Sequence, residues 1–408
     1  MQSLIPYFPT LGPRAGWRTQ DGDSLPYPLG HARSRCYYMG RSGIYHGVAA
    51  LGVRPGDEVL MPAYHSGTEA APLMHYGCRL KFYGVARDLT IDLDEVEDKI
   101  GPATRVLFAI HFIGFPAPVV ELREIADRHG LAFIEDCAQA FLSRSAGRPL
   151  GTWGDMSVFC VYKSLPVAAG GILALGRDSI ALPPEPQAVG LYSELNLTAK
   201  HVLNYLSLHG GAAGAAFRWL AQRLAGGVVA STKLACVTPE VMSFDPAVLD
   251  WGLGPITERL LRYFDYESIA ARRRHNYQWL ARRLVEAGLT LVREDLPDET
   301  VPLFMPILVP DKFDTVARLR GEQIMAVPFW GTHHEHLPRG EFLDTEFLVD
   351  HVVELPIYQD LTTGHLERIG DAAERLVRPL PQLRSRAPAR TWPTVGVATD
   401  EDLCTQLS

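Results

Sequence analysis

Short apolar runs alternate with amphipathic segments over residues 57–136, and this alternation limits the folds open to the chain. The predicted elements are strands at 57–62, 79–85, 104–111 and 133–136 and helices at 93–100 and 119–129. Strands separated by helices form a mostly parallel sheet that is covered on both faces. The sequence therefore predicts an α/β fold whose ligands gather at the carboxyl ends of the strands.

An acid and a lysine follow in positions where such a sheet would carry chemistry. Asp136 ends the last of these strands, and Lys163 lies between an apolar run and the loop that leads to Gly170-Gly171. A pyridoxal phosphate (PLP) enzyme needs an acid to keep the pyridine nitrogen protonated and a lysine to hold the cofactor covalently. Acids at strand ends are common, however, and most lysines are solvated, so neither residue alone indicates this chemistry.

Scarcity adds weight to Lys163. The chain has only six lysines, which are Lys81, Lys99, Lys163, Lys200, Lys233 and Lys312. Among them, only Lys163 stands between an apolar run and a loop rich in Pro and Gly. We therefore predict it as the nucleophile from the sequence pattern itself.

Composition and spacing argue against several other classes. The formal net charge of −8 gives no electrostatic case for nucleic acid or anionic membrane as a partner. The six cysteines show no CxxC or zinc spacing, and we expect reduced thiols in a cytoplasmic protein. His333-His334 and His336 lack an acidic or thiol partner at a useful spacing, so no metal is predicted. No G-x-G-x-x-G follows the first strand, which leaves a dinucleotide-binding fold without a phosphate loop.

Neither export nor membrane insertion is expected. Prolines occur near the amino terminus where a signal peptide needs an unbroken apolar core. The apolar range 205–230 contains Arg218 and Arg223 and is padded with Gly and Ala, so it falls short of a spanning helix. We predict an amphipathic or interface insertion there.

The region around the acid and the lysine resembles the DegT/DnrJ/EryC1/StrS family of sugar aminotransferases, which have PLP fold type I. The matching landmarks, in order, are Glu135-Asp136-Cys137-Ala138-Gln139-Ala140, Gly147, Gly151, Gly154-Asp155, Phe159-Cys160-Val161-Tyr162-Lys163 and Gly170-Gly171. The resemblance covers residues 38–176 well and 242–378 moderately. It implies a large domain with a mostly parallel sheet and a small C-terminal α+β domain that closes over the active site.

The resemblance also implies a phosphate site. It places the cofactor phosphate at the loop containing Gly67 and Thr68, where free backbone N–H groups at a helix N-terminus would suit a dianion. An ordinary Ser/Thr helix cap would leave the same pattern. Cys160 stands where relatives commonly carry a serine that bonds the phosphate, and Ser157 is an alternative for that role.

Two more residues are expected near the ring. Gln139 follows Asp136 by three positions and would point at the same ring if the segment coils; otherwise it caps a turn. His111 matches a family element and would contact the ring or its O3′ side, or else serve as a structural residue behind the site. The implied cofactor set is thus Lys163, Asp136, Gln139, Gly67, Thr68, Cys160 and His111.

We divide the chain by these patterns. An N-terminal arm (1–30) is expected to lie on a partner subunit or on the small domain, followed by a large PLP-binding domain (31–255) with an insertion at about 180–240. A linking helix over 256–284 begins the last structured part (256–384), and a flexible tail (385–408) follows.

The implied activity is transfer of an amino group from an amino acid, glutamate or glutamine, to a keto-sugar or keto-cyclitol. The keto-sugar would be nucleotide-linked, and the enzyme a homodimer. Two alternatives stay open. A PLP-dependent sugar dehydratase of the same family would carry histidine in place of Lys163. A non-catalytic relative would bind a sugar nucleotide or regulate a partner enzyme, and Cys160 together with the unmatched insertion leaves room for it.

Overall fold

The computed structural model describes residues 3–12, 25–210, 245–331, 334 and 336–380. The strands of its larger sheet are β1 (Ser34–Tyr37), β2 (Glu58–Pro62), β3 (Arg79–Tyr83), β4 (Thr104–Ile110), β5 (Ala132–Asp136), β8 (Met156–Cys160) and β9 (Gly171–Leu175). A hairpin of β6 (Arg144–Ser145) and β7 (Arg148–Pro149) lies between β5 and β8 in the chain. The spatial order of the seven-stranded sheet is β1-β9-β8-β5-β4-β2-β3.

Most neighbouring strands in this sheet run parallel. The pairs β3–β2, β2–β4, β4–β5 and β5–β8 are parallel, while β8–β9 and β9–β1 are antiparallel. Strands β4, β5 and β8 are almost wholly buried, as expected for strands that are covered on both faces. The predicted mostly parallel sheet is confirmed, and the carboxyl ends of β2, β4, β5 and β8 meet at one edge.

Helices in the first half of the chain cover this sheet. They are α1 (Gly40–Ala50), α2 (Ala70–Tyr76), α3 (Leu93–Asp98) and α4 (Val119–His129). The side chain of Asp92 caps α3 by accepting from the N–H groups of Asp94 and Glu95. Gly130 ends α4 in the left-handed region, with φ of 63°, so the helix stops where the sequence predicts.

A fifth helix, α5 (Leu191–His209), occupies part of the segment predicted as an insertion. The carboxylate of Glu194, on α5, accepts from the N–H groups of Ile256 and Thr257. The remainder of that segment, at 211–240, lies outside the described residues. Within the part of the chain that the structure describes, no helix is long and apolar enough to cross a membrane.

The predicted single linking helix over 256–284 is wrong. The structure has two helices, α6 (Pro255–Leu260) and α7 (Tyr266–Glu286). The break occurs because Asp265 caps the second helix, where its side chain accepts from the N–H of Ser268 at 3.1 Å. A helix cap has non-helical backbone, so the two helices cannot be continuous there.

The second domain is a small α+β unit, as predicted. Its strands are β10 (Thr290–Leu291), β11 (Met305–Leu308), β12 (Val327–Pro328) and β13 (Val352–Leu355). They pair antiparallel in the order β10-β11-β13-β12. The helices α8 (Lys312–Gly321), α9 (Leu343–His351) and α10 (Thr363–Leu376) complete this domain.

The described part of the N-terminal arm, residues 3–12, lies on the small domain of its own chain. The N–H of Ile5 donates to the carbonyl of Gln323, and the carbonyl of Ile5 accepts from Met325. Further along, the N–H and the hydroxyl of Thr10 both donate to Asp360. The arm is therefore held at both ends, and residues 7–9 lie between these anchors. Residues 13–24 and the predicted tail at 385–408 lie outside the described residues.

Candidate active site

Asp136 and Lys163 come together at the carboxyl edge of the large sheet. Asp136 ends β5, and Lys163 ends the single helical turn Val161–Lys163 that follows the adjacent parallel strand β8. Burial, most strongly, and the charge of Glu69 raise the pKa of the Asp136 carboxyl to about 7, while an N–H from Ala138 and the charge of Lys163 oppose the rise. The predicted pair thus shares one electrostatic site with a second acid.

Lys163 lines a cleft between the two domains. The cleft has about 540 Å³ of empty volume, and its walls come from the large domain, the small domain and the arm. The side chains that line it are Tyr7, Phe8, Gln139, Tyr162, Lys163, Leu303, Phe304, Val327, Pro328, Phe329, Trp330 and Glu354. A smaller adjoining cavity of about 280 Å³ also reaches Lys163. Within the described residues, the amine of Lys163 makes no hydrogen bond or ion pair.

A second lysine is buried more deeply but does not compete for this role. Lys312 is 2% exposed, and its amine donates to the carbonyls of Phe329 and Val349. These bonds join α8 to its neighbours, so Lys312 supports the small domain. Lys163, which is half-buried beside a cleft, is the amine that a ligand can reach.

Gln139 lies at the cleft, although the segment after Asp136 forms a turn and not the helix that one prediction required. Its side-chain oxygen accepts from the N–H of Ile113 at 2.7 Å. Ile113 has φ of 61°, an uncommon conformation for a β-branched residue. Gln139 therefore helps to hold a strained loop beside the cleft, and the expectation that it belongs to the site agrees with its position.

His111 is turned away from the cleft. Its Nδ1 accepts from the N–H of Ala117 at 3.0 Å, so its Nε2 carries the proton and donates to Glu135 at 3.1 Å. Both ring nitrogens are thus used within the protein, and His111 lines neither cavity. Of the two roles predicted for His111, the structure supports the structural one.

Glu135 is the centre of this buried network. Its side chain is fully buried, and it accepts from His111 and from the N–H groups of Gly151, Trp153 and Gly154 at 2.6–2.9 Å. These bonds attach the 151–154 loop to β5, immediately beside Asp136. Sequence reasoning used Glu135 only as part of the motif and missed this role.

A metal could be considered at the same place. Among the described residues, His111, Glu135 and Cys137 form a group whose possible ligand atoms lie within 4.8 Å of one another. His111 and Glu135 already satisfy each other and four backbone N–H groups, so these ligands are not free for an ion. Of the histidines considered in the sequence, His334 packs against His65 with ring centroids 4.8 Å apart, and His333 lies outside the described residues.

The predicted phosphate loop is closed on itself. The N–H of Gly67 donates to Nδ1 of His65 at 3.0 Å, and the N–H of Thr68 donates to the hydroxyl of Ser66 at 3.2 Å. The expectation of free N–H groups at Gly67 and Thr68 is therefore wrong. The cause is the pair of short polar side chains at positions 65 and 66, which reach the backbone two residues ahead.

An acid also occupies this loop. Glu69 is 6% exposed, and its carboxylate accepts from the hydroxyl of Ser66 at 2.6 Å and from that of Thr68 at 3.4 Å. The hydroxyls that a phosphate would use are thus bonded to a carboxylate. Sequence reasoning missed Glu69, although its position directly after Thr68 was the available signal.

Neither Cys160 nor Ser157 faces the cleft. The thiol of Cys160 is bonded by the N–H of Gly40 and by Tyr162, and burial raises its pKa. Ser157 lies on the other side of β8, where its hydroxyl is 3.2 Å from that of Tyr27. The alternative phosphate role for Ser157 is wrong because residues of a strand alternate between the two faces of a sheet.

Comparison with known proteins identifies the segment that builds this site. The model of the DegT/DnrJ/EryC1/StrS aminotransferase family matches residues 38–181. These residues belong to that family. The predicted family is thereby confirmed over the segment that contains Asp136 and Lys163.

Relatives of the DegT/DnrJ/EryC1/StrS segment are named as sugar or cyclitol enzymes. The GDP-perosamine synthase of Vibrio cholerae is 30% identical over 144 residues, which are 35% of this chain and 39% of that protein. The L-glutamine:2-deoxy-scyllo-inosose aminotransferase of Streptomyces kanamyceticus is 32% identical over 148 residues, which are 36% of this chain and 33% of that protein. The matched part thus spans well under half of these relatives.

The fold is shared over a much longer range. A putative sugar aminotransferase of Streptococcus pneumoniae, solved in its PLP form, superposes with a TM-score of 0.62 and covers 92% of this chain and 100% of that chain at 16% identity. The predicted α/β fold with a large and a small domain is confirmed by this likeness. At this identity the comparison shows the fold alone.

Proposed function

We propose that this protein is a PLP-dependent aminotransferase that acts on a keto-sugar or keto-cyclitol. The observation that carries the proposal is the meeting of Asp136 and Lys163 at one strand-end edge, beside a cleft that Lys163 lines. Membership of residues 38–181 in an aminotransferase family supports the same conclusion.

The residues present fit the reactive parts of PLP. Within the described residues, Asp136 Oδ1 accepts from the N–H of Ala138 at 2.8 Å, and its Oδ2 accepts no hydrogen bond. Oδ2 is therefore available to a pyridinium N–H. The amine of Lys163, which has no hydrogen-bond partner in that part of the chain, is available for covalent attachment. Bound PLP would supply an electron sink for the carbon that loses a proton.

In this proposal the protein's own residues hold and move two protons. Asp136, once ionised, keeps a proton on the ring nitrogen, because a buried carboxylate stabilises a cation in contact with it. Lys163 Nζ, once released from the cofactor, takes the proton from the amine-bearing carbon of the donor and later delivers one to the acceptor carbon. Gln139, from its place beside the cleft, would contact the ring.

The phosphate has weaker support. It would lie at Thr68 and Gly67, as the resemblance implies, but there it would meet the carboxylate of Glu69. Cys160 is engaged with Gly40 and Tyr162 and faces away from the cleft. We infer that cofactor affinity rests mainly on Lys163 and Asp136, and less on the phosphate than in an enzyme with a phosphate cup free of acids.

The two alternatives make different predictions. A dehydratase would lack a lysine at position 163, and this chain keeps it. A non-catalytic relative is favoured by one specific observation, the acid in the phosphate loop. We further propose glutamate or glutamine as the donor, a nucleotide-linked keto-sugar or a keto-cyclitol as the acceptor, and a homodimer in the cytoplasm, all from the resemblance; size-exclusion chromatography with light scattering tests the dimer.

The activity can be tested by half-reactions. The PLP-loaded protein is mixed with glutamine or glutamate, and the 2-oxo acid is measured by mass spectrometry. We expect one equivalent per site and, on addition of a keto-cyclitol or a nucleotide-linked keto-sugar, turnover to the aminated product. Lys163→Ala should form no 2-oxo acid, whereas the exposed control Lys200→Ala should behave as wild type. A coloured protein that forms no 2-oxo acid with any donor would contradict the aminotransferase proposal.

A further inference from the structure

A carboxylate stands in the wall of the Lys163 cleft without an evident structural task. Glu354 lies on β13, which is paired on both sides, and it is opposite Pro306 of β11 and Val327 of β12. Its neighbours in the strand, Val353 and Leu355, are fully buried. Glu354 itself is only 3% exposed and lines the cleft. A buried carboxylate costs free energy unless it is paired, so its place beside a ligand cavity calls for a partner.

The arm supplies one polar contact. The hydroxyl of Tyr7 donates to Glu354 Oε2, and Tyr7 also lines the cleft. A carboxylate can accept about four hydrogen bonds, so a single phenol does not saturate it. The anchors at Ile5 and Thr10 fix the backbone on either side of Tyr7. Glu354 and Tyr7 therefore form a polar pair at a defined place in an otherwise aromatic wall.

Nearby hydroxyls also lack partners. Among the described residues, the phenol hydroxyls of Tyr64 and Tyr358 have none, although both side chains are buried. The ring of Tyr64 packs on Phe329 and Trp330, which line the same cleft, and Tyr358 lines the adjoining cavity. Buried hydroxyls are normally satisfied, so these two indicate that the cavities receive a polar ligand.

The charges around the cleft restrict the ligand further. Lys163 is the only cationic side chain in its lining. Arg273 reaches the adjoining cavity, but its guanidinium donates to the carbonyls of Ser164 and Leu303 and to Gln359. Once Lys163 is occupied, the described residues leave one anion and several aromatic faces. Such a surface suits a cation on a ring whose C–H faces pack on aromatic side chains.

We propose that Glu354, oriented by Tyr7, binds a second, non-reacting ammonium group of the substrate. The substrate class is then a polyhydroxylated ring that already carries one amine, an aminosugar or an aminocyclitol. This inference rests on the proposed aminotransferase function and names its substrate class. A neutral polyol would lack the ionic contact to Glu354 and would bind more weakly.

The test compares two probes in the reverse half-reaction. A diaminocyclitol and the corresponding monoaminocyclitol are each mixed with PLP-loaded protein, and the loss of visible absorbance is followed. We expect wild-type kcat/KM to favour the diamine by about tenfold or more, since one ionic contact of ~1.4 kcal/mol corresponds to tenfold. In Glu354→Gln the preference should fall to about twofold or less, with the monoamine rate kept.

Controls separate the two proposals. The exposed variant Glu341→Gln should keep the preference, and Tyr7→Phe should keep it too because the carboxylate remains. An unchanged preference in Glu354→Gln, or none in wild type, would overturn the Glu354 assignment while leaving the aminotransferase proposal intact. If neither amine discharges the absorbance, the aminotransferase proposal fails. Calorimetric titration with the same probes then decides the subsite, because tighter diamine binding to wild type than to Glu354→Gln supports it and equal binding overturns it.

Discussion

Burial and the charge of Glu69 together raise the pKa of Asp136 to about 7, although the two acids come from loops that follow different strands. Glu69 closes the loop after β2, whereas Asp136 ends β5. The hydroxyls of Ser66 and Thr68 are bonded to Glu69, and the ring-binding role is proposed for Asp136. The same acid therefore influences both ends of the proposed cofactor site.

Removal of the charge on Glu69 should tighten PLP binding. In Glu69→Gln the phosphate dianion no longer meets a carboxylate, and Coulomb repulsion of ~1 kcal/mol at 4 Å in water corresponds to about fivefold in Kd. Equilibrium dialysis or titration of the visible absorbance measures the change. The exposed Glu121→Gln serves as the control and should match wild type. Weaker binding in Glu69→Gln would mean that Glu69 holds the loop in its binding conformation.

PLP binding should weaken as the pH falls through 7. The ionised form of Asp136 pairs with a pyridinium, and its raised pKa of about 7 means that the protonated form dominates below that pH. The affinity should then fall by up to about tenfold per pH unit below the pKa. Binding is measured at several pH values between 5.5 and 8.5. Asp136→Asn should bind weakly and lack this dependence, and an identical pH profile in both proteins would contradict the assignment.

The same shift predicts the stability of the cofactor-free protein. Since the folded-state pKa of Asp136 is raised above the ordinary 3.8, the protonated form is the stabilised one, and stability is lost as the pH rises from about 4 through about 7. Asp136→Asn avoids this loss. Its Tm should exceed that of wild type at pH 8, and the difference should shrink toward pH 4. A constant difference across this range would show that the carboxyl is not perturbed in solution.

Loss of the Glu135 charge should destabilise the fold. Four donors converge on this fully buried carboxylate, and in Glu135→Gln an NH₂ group would face some of them. We expect a loss of about 3 kcal/mol or more in the free energy of unfolding. Urea denaturation measures it, with the exposed Glu124→Gln expected to lie within about 0.5 kcal/mol of wild type. A small effect of Glu135→Gln would show that the network tolerates an amide.

Arg273 should position the segment that follows Lys163. Its guanidinium, 1% exposed, donates to the carbonyl of Ser164 at 3.1 Å and to that of Leu303 at 2.8 Å, which links the two domains. In Arg273→Met these carbonyls lose their donors, and we expect ~3 kcal/mol less stability. The rate at which Lys163 captures PLP should fall as well. The exposed Arg282→Met should change neither quantity, and an Arg273→Met protein with normal PLP capture would contradict the positioning role.

Local patterns in the sequence predict part of this account. The strand that ends at Asp136 and the turn that carries Lys163 follow from short apolar runs and loop residues, because strand ends of a parallel sheet share one edge. The small domain follows from the same kind of pattern. The cap at Asp265, which divides the linking helix in two, was also visible as an acid, but apolar periodicity on both sides hid the break.

The rest depends on contacts between distant residues. Tyr7 and Glu354 are separated by 347 positions, so no local pattern brings them into one cleft. Thr68 and Gly67 matched a phosphate loop by residue type, yet the fold turns their N–H groups and hydroxyls toward His65, Ser66 and Glu69. Which partner a polar group takes is decided by tertiary packing, and the sequence alone does not give it.

The central claim is that Lys163 holds PLP. Purified wild-type protein, Lys163→Ala and the control Lys200→Ala are each titrated with PLP, reduced with borohydride and digested for peptide mass analysis. We predict a visible absorption band and a reduced pyridoxyl adduct on the peptide that contains Lys163 in the wild type and the control, and neither in Lys163→Ala. Absence of the band in wild type at saturating PLP, or an adduct on another lysine such as Lys312, would contradict the account.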